Sequence, residues 1–118
     1  MMFQPLNDFS FPSPPSTVDQ VVDLLYCDIS LRDKAIMAQL SEHELDSIVY
    51  LSMAKTIRKE FGLYSGNTDL LSSCSSYLGK KYDAYEDPAM VIIKELWIKV
   101  KKTHNLHLVV KKNHNPAM

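Results

Sequence analysis

Glycine is scarce in this chain. Three glycines in 118 residues are too few for a protein built on tight β-hairpins, so composition leans toward helix. Long apolar runs are also missing: no stretch of about 18 consecutive apolar residues occurs, so no helix is expected to span a bilayer. The start, "MMFQPLNDFSFPSPPS", has neither a basic segment nor an apolar one, which excludes a secretory signal there. Only two cysteines occur, Cys27 and Cys74. Two cannot form a disulfide scaffold, and the expectation is reduced thiols in a cytoplasm.

Several chemical signatures are absent as well. No G-x-S-x-G elbow, Walker pattern or dinucleotide fingerprint is present, and the acidic residues Asp83, Glu86 and Asp87 lack calcium-loop spacing. His104 and His107 could share a helix face, but no cysteine or carboxylate follows Glu95 to complete a metal set. Cys74 falls on an apolar face with Leu70, Leu71 and Leu78, where a free thiol acts as a small hydrophobe rather than a nucleophile. No catalytic set, cofactor or metal is expected, and the protein is read as a non-enzyme.

What is present is helical periodicity. Hydrophobic residues make up 46% of the chain, enough for one modest core. Val18, Val21, Val22 and Leu25 share a face after Ser16 or Thr17. Ser30-x-x-Asp33 and Ser41-x-x-Glu44 read as capping boxes for a second helix ending near Leu40 and a long third helix. In the third, Leu45, Val49, Met53, Ile57 and Phe61 recur every fourth residue, widened by Ile48 and Tyr50, before a terminating Gly62. Asn67 or Thr68 caps a fourth helix that Gly79 ends, and Asp87-Pro88 opens the last. The prediction is an all-α single domain of about five helices, the third and fifth at its centre. Residues 1–16 form an extended Pro/Phe arm, 17–104 the helical domain, and 105–118 a basic tail of undecided conformation.

Charge is uneven. Up to residue 87 there are seven basic and thirteen acidic residues (−6); after it, six and one (+5). A basic end suits a protein partner or, as a third reading, weak nucleic-acid binding through Lys94, Lys99, Lys101 and Lys102. No recognition-helix motif or aromatic interleaving supports the latter. A contact surface is expected from Phe3, Phe9 and Phe11 in the arm, and from Val91 and Ile98 beside Lys94, Lys101 and Lys102 on the outer side of the last helix.

One polar site stands out. Glu60 falls inside the apolar stripe of the third helix and at its C-terminal end, where the helix dipole disfavours a carboxylate. It is expected to be buried, accepting backbone N–H bonds around residues 67–69 or pairing with a basic residue. Glu60, Arg58, Tyr64 and Asn67 form the candidate buried polar site, and a small-ligand binder or enzyme built there is the alternative function.

Those residues also carry a resemblance. Arg58 and Glu60 precede Phe61-Gly62-Leu63, the aromatic Tyr64, Gly66-Asn67, Leu70-Leu71 and Cys74; Ile92-Ile93 and Leu96-Trp97 follow. This pattern, over residues 17–100, resembles a bacterial family known only as a domain of unknown function. The resemblance implies a helical domain and supplies no catalytic residues. The favoured expectation is a small cytoplasmic interaction or regulatory protein with a protein partner, a second copy of itself included, and no membrane.

Overall fold

The computed structural model describes the backbone of residues 14–113 and the side chains of residues 14–104. Phe3, Phe9 and Phe11 lie outside the described residues, as do residues 114–118.

Each helix starts where a polar side chain can take up its unpaired N–H groups. The Thr17 hydroxyl accepts from Gln20 N at the start of α1 (Val18–Asp28), and Ser30 Oγ accepts from Asp33 N at the start of α2 (Leu31–Ala38). Ser41 and Glu44 form a full capping box: Glu44 N donates to Ser41 Oγ at 3.1 Å and Ser41 N to Glu44 Oε1 at 2.9 Å. From there Glu42–Glu44, Leu45–Val49 and Tyr50–Glu60 run without a break as α3 (residues 42–60). Helix α4 (Thr68–Ser75) and helix α5 (Pro88–Asn113) complete five helices. Among the described residues there is no strand, only a single bridge between Leu78 and Tyr82.

The middle piece of α3, Leu45–Val49, is a π-helical turn. This explains how residues spaced by four stay on one side. In a regular α-helix such a row drifts by about 40° per step, because a turn holds 3.6 residues. The wider turn takes back part of that drift. Leu45, Val49, Met53, Ile57 and Phe61 are accordingly all buried. Ile48, expected to widen the stripe, points outward and is 54% exposed.

Helix α3 ends in a Schellman motif. Gly62 has φ +64°, and Leu63 N donates back to Arg58 O at 3.0 Å. Leu63 is buried, which adds the apolar contact such ends carry. Asn67 then joins three segments. Its Oδ1 accepts from Leu70 N, capping α4, while its Nδ2 donates to Phe61 O and Pro15 O. Helix α4 stops at Ser75, earlier than expected. Gly79 (φ +76°) serves instead the tight turn in which its N–H donates to Tyr82 O.

Helix α5 is the hub. α1, α2, α3 and α4 all pack on it, and residues 89–94 are buried without interruption. A helix apolar on nearly all sides must be covered on all sides. This corrects the expectation for Val91, which is fully buried rather than part of an outer surface, while Ile98 is half-buried. The reason is the connection between α4 and α5, which lies against that flank. Tyr82 OH donates to Glu95 Oε2 and Lys94 Nζ to Glu86 Oε2, both at the turn following Val91. Past residue 104 the backbone of α5 stays helical to Asn113, so the first part of the expected tail is a helix extension.

Candidate functional site

Asp87 is placed by its sequence role as the residue before Pro88. Its Oδ1 accepts from Ala89 N at 2.9 Å, the capping bond expected of it. The fold then brings three more side chains to the same carboxylate. Tyr50 and Arg58, two turns apart on one flank of α3, both donate to Oδ2, and Arg58 Nη2 also donates to the Tyr50 hydroxyl at 2.8 Å. Tyr64, on the loop after the Schellman turn, approaches Oδ1 at 3.4 Å. Asp87 thus links the C-terminal half of α3 to the start of α5.

The electrostatics follow from that geometry. Burial alone would raise the Asp87 carboxyl. The hydrogen bonds from Tyr50 and Ala89 N, with the Arg58 guanidinium, outweigh it and hold Asp87 below the usual aspartate value. The same carboxylate raises the Tyr50 hydroxyl by accepting its hydrogen bond, and partial burial raises Tyr64. Near neutral pH this cluster therefore holds an ionised, fully engaged carboxylate and two protonated phenols. None is poised to exchange a proton there. Burial likewise pushes the Cys74 thiol up to about 11, so it is protonated near neutral pH.

Beside the cluster, Asp46, Tyr50, Glu86, Asp87 and Met90 line a shallow hollow of about 210 Å³. A second polar group flanks it. Lys94 is 8% exposed and reaches Glu86 at 3.0 Å and Glu42 at 3.5 Å, with the Tyr82 ring centroid 5.4 Å away. Lys81 and Tyr82 both hold Glu95. On the far flank Lys99 pairs with Asp23 at 2.6 Å, and Lys101 lies over the Trp97 ring at 3.7 Å. The lysines that suggest a nucleic-acid surface are therefore largely engaged within the domain; Lys102 is exposed.

Of the four residues expected at a buried polar site, the structure joins two. Arg58 and Tyr64 meet at Asp87, but Tyr64 is 59% exposed there rather than buried, and Asn67 acts separately as the cap between α3 and α4. Glu60 is a correction: it is exposed. At about 100° per residue it lies roughly 20° from the buried Met53, but it sits about two turns farther along, in the last turn of α3, so the helix face alone does not bury it. The capping expected of it belongs to Asn67. The residues the sequence left unassigned are Tyr50, Tyr82 and Glu86. Tyr50 and Arg58 share a helix flank, a visible signal, but nothing local says which distant carboxylate they meet.

No family model matches the chain, and no curated protein or solved structure matches it either. The site is therefore read from its own geometry. Among the described residues, no three His, Cys, Asp or Glu side chains converge to hold a metal ion, and no helix is long and apolar enough to cross a membrane.

Proposed function

We propose that this protein is a small non-enzymatic interaction or regulatory module whose partner is another protein chain, a second copy of itself being the first to test. The observation that carries this reading is on the outer face of α3. Ile48 and Leu51, three residues apart, are 54% and 76% exposed, while the opposite face of the same helix is core. An amphipathic helix with an apolar pair on its solvent side suits a protein contact. The conspicuous polar groups support the same reading, because Asp87, Arg58, Tyr50 and Lys94 are spent on tying helices together. Free thiols at Cys27 and Cys74 favour a reducing, cytoplasmic setting, and the motif resemblance favours a bacterial one.

Light scattering over a dilution series, with a pull-down from a lysate, tests the proposal. Association is expected, and Leu51→Glu should abolish it while leaving the melting temperature unchanged, because Leu51 is outside the core. A monomer at every concentration with no captured partner overturns the proposal.

One observation favours a second reading. The hollow beside Asp87 presents the Asp46 carboxylate next to the Tyr50 ring, with Glu86 already held by Lys94, a lining suited to a small cation through Asp46. Calorimetry with small amines tests it, and absence of heat at millimolar amine removes it.

A further inference from the structure

The seam between α2 and α5 is built from matching stripes. Leu31, Lys34 and Ala35 share one face of α2 at i, i+3, i+4 spacing, and Val100, Thr103 and His104 repeat that spacing on α5. Ala35 and Thr103 are too small to fill the space between the helices, and Tyr26 of α1 forms a third wall. The result is a cleft of about 330 Å³, at the lower end of the ~300–1,000 Å³ that holds small ligands.

Its chemistry is asymmetric. The apolar lining is aliphatic: Val100 is fully buried, Ala35 half-buried, and Leu31 stands at the rim 83% exposed. The hydroxyls are occupied, since Tyr26 OH donates to Thr103 Oγ1, which donates to backbone carbonyls of α5. No carboxylate lines the cleft; the nearby Asp23 is taken by Lys99. Lys34 Nζ lies 3.8 Å from the Tyr26 ring centroid, and neither Lys34 nor His104 has an ion pair among the described residues. An aliphatic trough edged by an acid-free ammonium and an imidazole is complementary to one kind of small molecule: a single negative charge on a straight apolar chain.

We infer that this cleft binds a free monocarboxylate with a short to medium unbranched chain. The tail lies along Leu31 and Ala35, with the buried Val100 packed behind them. The carboxylate accepts from Lys34 Nζ, with the His104 ring as a second donor. No covalent step is involved. The site is distinct from the α3 face and from the hollow at Asp87, so its failure leaves the interaction reading untouched.

The test is calorimetry and amide-shift mapping of the full chain with hexanoate, octanoate and decanoate, each below its aggregation threshold, against octanol and octylammonium. Saturable binding is expected, tightening about three- to fourfold per added methylene until the trough is full. Amide shifts should be confined to the neighbourhood of Tyr26 and to residues 31–35 and 100–104. Lys34→Gln, a partly exposed site, should weaken octanoate on the order of tenfold while lowering the melting temperature only slightly through loss of the Tyr26 contact, and Ala35→Leu should abolish binding by filling the trough. Octylammonium binding as tightly as octanoate, unchanged affinity in Lys34→Gln, or only unsaturable shifts spread over the surface each overturn the inference.

Discussion

Asp87 and Glu60 show how differently two carboxylates fare within one small domain. Asp87 caps α5 and accepts from Tyr50 and Arg58, so Asp87→Ala removes a cap and leaves two donors without their acceptor. The expected cost is about 2 kcal/mol in chemical denaturation. Its pH dependence has a definite sign. The folded value is depressed, so the carboxylate stabilises the fold above the unfolded value of about 3.9. That contribution is lost as pH falls through the folded value. The gap in melting temperature between wild type and Asp87→Asn should therefore shrink below about pH 4. Glu60→Gln should leave the melting temperature unchanged, because Glu60 is exposed and α4 takes its cap from Asn67. The local signals were legible here: Asp87 as a cap and Asn67 as a helix start both follow from residue type and position. That Asp87 also gathers Tyr50, Arg58 and Tyr64 was not, because those partners lie 37, 29 and 23 residues away in sequence.

At the scale of single elements, α3 is the informative case. Its capping box and its terminal glycine are both visible in sequence, and both are realised. Gly62→Ala should cost about 1–2 kcal/mol, read as a shift in denaturation midpoint, because a side chain at φ +64° strains the left-handed conformation the Schellman turn requires. The space around Gly62 is ordinary, with Asn67 Cβ 3.6 Å from an added Cβ, so the cost is conformational rather than steric crowding. The π turn at Leu45–Val49 was not legible. A row spaced by four residues is equally compatible with a drifting α-helical face, so nothing in the spacing announces the wider turn. Even on a regular helical wheel Ile48 and Leu51 lie about 180° and about 120° from Ile57, so the exposed apolar pair was legible in the spacing and the widening is not its cause.

At the scale of the whole molecule, α5 is enclosed by the four other helices and by the α4–α5 connection. Val91→Ala should therefore cost about 2 kcal/mol in chemical denaturation, as a cavity in the core does; as an outer contact residue it would cost almost nothing. The sequence by itself determined the helical class, the starts of the helices and most of the core, because caps, glycine stops and 3.6-residue periodicity act within a few residues of one another. Tertiary structure alone decided which side of α5 is outside, which carboxylate is engaged and where clefts remain. Those outcomes depend on how the α4–α5 connection folds across α5 and how closely α2 approaches it. Such long-range packing choices are made by summed burial over the whole domain, to which no short segment commits in advance.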